Sequence, residues 1–112
     1  MIKSIQHFEE FGIKNLEKVV EGFMKDPKDM TSFVYGIRDV VIHLGLEIIK
    51  ETLEDCNQML RDSAKRKQSW SIVKTDTKKL TTSLGSVSFE KTLFKHKTSG
   101  EYAYLLDRIL GI

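Results

Sequence analysis

Proline and cysteine each occur once in this chain of 112 residues, as Pro27 and Cys56. A lone cysteine excludes an internal disulfide and a cysteine-rich zinc site, and it suits a reducing compartment. A lone proline leaves every helix after residue 27 free to run on. The seven glycines are dispersed, so no loop is built to cradle a phosphate. His7, His43 and His96 stand too far apart for metal-ligand spacing, and no cofactor is expected. No apolar run approaches the ~20 residues of a membrane span, and the opening residues lack the apolar stretch of a secretion signal. The cytoplasm is the default expectation.

Charge is present in quantity and unevenly placed. Residues 1–60 carry 7 Lys and Arg against 11 Asp and Glu, a balance of −4. Residues 61–98 carry 10 against 3, a balance of +7, and residues 99–112 carry 1 against 2. Such asymmetry suits a surface that meets a polyanion, although a solvated basic face has the same composition.

The residue types predict an α+β chain: an N-terminal helical hairpin with one long helix, then a three-stranded antiparallel β-meander. The boundary falls between a helical region, 1–67, and a basic region, 68–112. Ile5, Phe8, Leu16, Val19, Val20 and Phe23 recur at helical spacing, with Gly12 as the place of interruption and Gly12 or Asn15 as the start of the second piece. Asp26 and Pro27 predict the next helix start, with Asp26 as N-cap, Pro27 as first helical residue and Asp29 in the first turn. That helix is expected to reach about Lys67. Met30, Val34, Ile37, Val41, Leu44 and Ile48 make a stripe with alternating steps of four and three, which needs covering by the first helix or a second copy of the chain.

From Trp70 the period becomes two. Val87, Phe89, Lys91, Leu93 and Lys95 share one strand face, and Ser88, Glu90, Thr92, Phe94 and His96 the other. Gly85 and Gly100 mark the turns. Tyr102, Tyr104 and Leu106 read as a third strand. The last residues, with Ile109, Leu110 and Ile112, have no evident cover, so the chain is expected to stop before a domain is complete.

Catalytic chemistry is hard to assemble. Cys56 continues the apolar stripe and reads as a small buried hydrophobe. Asp76, Glu90 and Asp107 are single carboxylates, too few for a two-metal acidic site. Nucleic-acid binding is the better-supported chemistry. Arg61, Lys65, Arg66, Lys67, Lys74, Lys78 and Lys79 are candidate phosphate contacts, and Lys91, Lys95 and Lys97 extend them across the hairpin. Trp70, Phe94, Tyr102 and Tyr104 are interleaved with these cations, reading first as core or sheet-face residues and second as stacking platforms. A helix C-terminus favours cations by ~0.3–1 kcal/mol each, which explains one or two of Arg61, Lys65, Arg66 and Lys67 better than all four.

Two stretches carry a further signal: TSLGSVSFEKTLFKHK (Thr82–Lys97) and YLLDRILGI (Tyr104–Ile112), preceded by the helical FVYGIRDVVIHLGLEIIKETLEDCNQMLRDSAKRK (Phe33–Lys67). Together they resemble the N-terminal segments of insertion-sequence transposases of the Lre type, long catalogued as an uncharacterised protein family. The resemblance implies a mobile-element protein that recognises the DNA ends of its element. In such proteins cutting and joining belong to a metal-dependent acidic triad, to which no carboxylate of this chain can be matched. The implied role is a non-catalytic fragment contributing DNA binding and self-association, with DNA and a second copy as partners. A helical protein–protein interaction module is the alternative.

Overall fold

The computed structural model describes residues 3–112, and its contacts gather into two units. One runs to Glu51 and includes Ser83–Gly85; the other comprises Thr52–Thr82 and Ser86–Ile112. The elements are α1 (Lys3–His7), a π-helical turn (Phe8–Gly12), α2 (Ile13–Lys25), α3 (Met30–Asp62), α4 (Ala64–Ser69), β1 (Trp70–Thr82), β2 (Gly85–His96), β3 (Tyr102–Ala103) and α5 (Leu105–Leu110). The sheet order is β1-β2-β3. Helices followed by an antiparallel meander make this an α+β chain.

In the first unit, the interruption at Gly12 is not a break. Gly12 keeps helical angles, and the N–H of Ile13 reaches back to Phe8 O, one residue further than in an α-helix. The missing side chain makes this possible, because a Cβ at Gly12 would stand 2.1 Å from Phe8 Cδ2. No side chain caps α2, so Asn15 does not serve there. At the other end of the unit, Glu51 closes the start of α1 by accepting from the backbone N–H of Lys3 (2.6 Å) and Ser4 (2.7 Å). Its contacts with Ser4 foremost, and with Lys3, hold the Glu51 carboxyl below its ordinary range.

The start of α3 differs from expectation by one turn. Asp26 ends α2, its N–H bonding to the carbonyls of Gly22 and Phe23, and Pro27 stands in the connecting turn. The N-cap is Asp29, whose carboxylate accepts from Ser32 N–H at 3.1 Å. Two aspartates flank the proline, and the one nearer the apolar stripe takes the cap. α2 then returns along α3: Phe23 stacks on Phe33 with centroids 4.4 Å apart, and a Cβ on Gly36 would lie 2.9 Å from Val19 Cγ1. The tip of the β1–β2 turn belongs to this unit, with Leu84 at the side-chain-free surface of Gly45, where a Cβ would be 2.9 Å from Leu84 Cδ1.

In the second unit, α3 stops at Asp62 rather than running to Lys67. Ser63 turns extended (φ −64°, ψ 125°) and its hydroxyl caps α4 by accepting from Arg66 N–H at 3.3 Å. β1 and β2 are 13 and 12 residues long, and the turn glycines Gly85 and Gly100 have φ of 139° and 74°, as the turns demand. The third strand is only two residues, pairing Ala103 with Phe94 and Tyr102 with Lys95. The expected alternation fails after Ala103 because Leu105, Leu106, Ile109 and Leu110 are at helical spacing and form α5, closed by Gly111 at φ 71°.

A strand so short leaves much of the β2 edge unpaired, and α3 takes its place. Asn57 Oδ1 accepts from Thr92 N–H at 3.0 Å, and Glu54 Oε2 from Glu90 N–H at 3.1 Å. The buried apolar residues among those described are Val87, Phe89, Phe94, Ala103 and Leu106, all in this unit. Both faces of β2 are covered. Lys91, on the Val87–Phe89 face, meets Tyr104 and Asp107, while Thr92 and Phe94 on the other face meet Arg61 and Arg66. At the end of the chain Leu106 is fully buried, whereas Ile109 is 66% exposed.

Candidate nucleic-acid interface

All ten candidate cations lie in the second unit, and packing divides them into two groups. Arg66 is buried. Its Nε donates to Leu60 O at 3.3 Å, its Nη1 to Trp70 O at 3.0 Å and its Nη2 to Arg61 O, while the guanidinium sits 5.4 Å over the Phe94 ring. It gathers the carbonyls freed where α3 breaks, and burial with three of its five N–H donors bound to them withdraws it from phosphate contact. Arg61 is half-buried and bridges the two long strands, Nη1 standing 3.3 Å from both Thr75 Oγ1 and Thr92 Oγ1.

Lys78 and Lys91 belong to a charged cluster under α5. Asp107 lies 2.8 Å from Lys91 Nζ and 3.5 Å from Lys78 Nζ, and Lys91 also stands 3.7 Å from the Tyr104 ring centroid. The Tyr104 hydroxyl donates to Asp76, which Lys74 approaches to 3.6 Å. The Tyr104 hydrogen bond, assisted by the nearby charges of Lys74 and Lys91, holds the Asp76 carboxyl below its ordinary range, and the same bond raises the Tyr104 phenol. Four of the ten candidates, Arg61, Arg66, Lys78 and Lys91, are therefore structural in this fold.

The other six, Lys65, Lys67, Lys74, Lys79, Lys95 and Lys97, are exposed. Three lie where α4 meets the sheet: Lys65 and Lys67, both on α4, and Lys97, whose ammonium donates to Lys67 O and whose N–H donates to Ser69 O at 2.8 Å. Trp70 begins β1 at this junction, edge-on to His96 with centroids 4.9 Å apart. His96 Nδ1 accepts from the N–H groups of Thr98 and Ser99, which ties the turn to the strand end. Lys95 lies over Tyr102 at 5.5 Å, and Tyr102 is 57% exposed. Of the interleaved aromatics, Phe94 is core, Tyr104 is tied to Asp76, and Tyr102 keeps an open ring. Lys79 lies on the opposite sheet face from Lys74 by strand alternation.

Sequence reasoning did not find Asn57, Glu54 or Ser63. Ser63 had a usable signal, an N-cap residue type directly before a short helix-forming run. Nothing local marks Asn57 or Glu54, because their partners are backbone groups more than 30 residues away. Among the described residues no group of His, Cys, Asp and Glu is placed to hold a metal ion, and no helix is long and apolar enough to cross a membrane.

A helix-plus-meander chain with three exposed lysines at one helix–strand junction is the class of protein that fold and surface define. Residues 24–112 match the family described as "Uncharacterised protein family (UPF0236)", and the chain belongs to that family. Among its relatives in Caldanaerobacter subterraneus subsp. tengcongensis, one UPF0236 protein is 31% identical over 99 residues, covering 88% of this chain and 21% of its own. UPF0236 protein TTE2489 of the same organism is 34% identical over 99 residues, covering 86% and 21%. The chain thus spans about a fifth of the length of these relatives. No solved structure matches it.

Proposed function

We propose that this chain is a DNA-associating segment of a transposase-like, mobile-element protein, and that it supplies contact with DNA rather than catalysis. The observation that carries the reading is the exposed basic cluster of Lys65, Lys67 and Lys97 beside Trp70, in a region with a charge balance of +7. Phosphate contacts from such a cluster fix a protein on a duplex without reading its sequence. A second support comes from the relatives. One is a single protein name joining eleven designations in one organism, and another joins four. A gene carried in many copies is what a mobile element leaves behind.

The test is affinity for duplex DNA as a function of salt. Each phosphate contact adds about −0.9 to the slope of log K against log salt. With the three clustered lysines engaged, the slope should be about −3, and the triple replacement Lys65→Ala, Lys67→Ala, Lys97→Ala should flatten it to near zero while leaving the circular dichroism spectrum unchanged. An absence of binding at about 50 mM salt would reject the proposal.

A further inference from the structure

The helical hairpin of the first unit has one open apolar face. α2 and α3 meet along Val19, Phe23, Phe33 and Gly36 and run antiparallel, since Val19 faces Gly36 and Phe23 faces Phe33. About a quarter of a turn from that line, α2 presents Ile13, Val20 and Met24, and α3 presents Met30, Val34 and Val41. In antiparallel helices the same angular step leads to the same side of the pair, so the two sets share one face. Each of the six side chains is 43–70% exposed. At roughly 100 Å² apiece, they offer about 600 Å² per chain, the upper end of what a monomer leaves open. Two such faces together approach the ~1,200 Å² at which stable interfaces begin.

We propose that a second copy of the same chain closes this face, α3 of each copy lying antiparallel against α2 of the other about a two-fold axis parallel to the helices. The charge pattern selects this arrangement. Arg38 is exposed on the outer edge of α3, and Glu17 is exposed on the outer edge of α2; neither has an ion-pair partner among the described residues. Because Val19 is level with Gly36, Glu17 is level with Arg38. Rotation about an axis parallel to the helices preserves height and exchanges the two edges, so each Arg38 meets the Glu17 of the other copy. The same operation sets Val41 opposite Ile13 and Val34 opposite Val20 and Met24. The face is thus complementary to itself, as a two-fold interface requires. Antiparallel neighbours throughout give a four-helix bundle, a standard setting for a stripe with steps of four and three. Beside Arg38, Met30, Val34 and Tyr35 border an open groove of about 410 Å³, able to receive an apolar side chain of the second copy.

Sedimentation equilibrium of the 112-residue chain tests this. The expected mass at about 100 µM is that of a dimer, with Kd on the order of 10 µM. Val34→Glu should weaken association at least about 100-fold while leaving the helical circular dichroism in place. Should Val34→Glu instead lose helicity, the exposed pair decides. Arg38→Glu and Glu17→Arg should each raise Kd about fivefold, and the double variant should recover to within about twofold of the parent. A monomer at about 100 µM overturns the proposal, as does a double variant no tighter than the singles. None of these residues is among the exposed lysines of the basic cluster. A dimer that ignores DNA would reject the DNA reading alone, and a DNA-binding monomer would reject this one alone.

Discussion

Arg66 shows how one side chain can change meaning between sequence and fold. In the sequence it is one of four cations closing a helix; in the structure its guanidinium is spent on Leu60, Arg61 and Trp70 carbonyls and on the Phe94 ring. Removing a buried group bonded to three carbonyls leaves them unsatisfied, at about 1–3 kcal/mol for each acceptor stranded. Urea unfolding should therefore show Arg66→Ala less stable by at least about 3 kcal/mol, whereas Lys65→Ala should change the unfolding free energy by less than about 0.5 kcal/mol. Equal effects from the two would show that Arg66 is as free as its neighbour. Asp76 and Tyr104 offer a second residue-scale test through pH. The folded pKa of Asp76 is depressed, so its contribution is present above its unfolded value, near 3.8, and is lost as pH falls through the lower folded value. The pKa of Tyr104 is raised above 10.0, so the same hydrogen bond holds until pH climbs past that range. Tyr104→Phe should move the Asp76 carboxyl upward in an NMR titration, and an unmoved carboxyl would deny the bond.

At the scale of elements, what was legible depended on how local the cause was. The turns at Gly85 and Gly100, the boundary at Pro27 and the change of period at Trp70 are written in a few adjacent residues, and all appear where the sequence places them. The third strand was misread because alternation of Tyr102 and Tyr104 and helical spacing of Leu105, Leu106 and Ile109 overlap, and the longer pattern won. Its truncation has a consequence that no local pattern carries: α3 must satisfy the β2 edge through Asn57 and Glu54. The candidate site divides along the same line. Exposed lysines are recognisable as a basic composition, but only the fold tells which of ten are occupied. Asn57→Ala should leave Thr92 N–H buried without an acceptor and cost about 1–3 kcal/mol. A chemical-denaturation midpoint unchanged by that substitution would mean the edge is satisfied in another way. Gly12→Ala gives the corresponding test for the π-helical turn, since its new methyl meets the Phe8 ring; displacing that ring should cost about 1–3 kcal/mol.

At the scale of the whole molecule, the two units differ in what holds them. The second has a buried core of Val87, Phe89, Phe94, Ala103 and Leu106, whereas the described residues of the first bury only Ser4 and Gly12 and leave Ile13, Val20, Met24, Met30, Val34 and Val41 open. Burial of apolar surface is the main source of stability, so opening free energy should be distributed unequally along the chain. Hydrogen exchange should find the β2 amides from Val87 to Phe94 the most protected and the α2 amides the least, at low protein concentration. If a second copy closes the open face, association stabilises the first unit in proportion to the logarithm of concentration. Protection of the α2 amides should then rise by roughly 10-fold as the chain is taken from well below its Kd to about 100 times above it, while β2 protection rises far less. The same experiment on the Arg38→Glu variant should need about fivefold more protein to reach the same protection. Protection of α2 that is already equal to that of β2 in dilute solution would mean that the hairpin is stable without a partner, and the open face would then need no second copy to account for it.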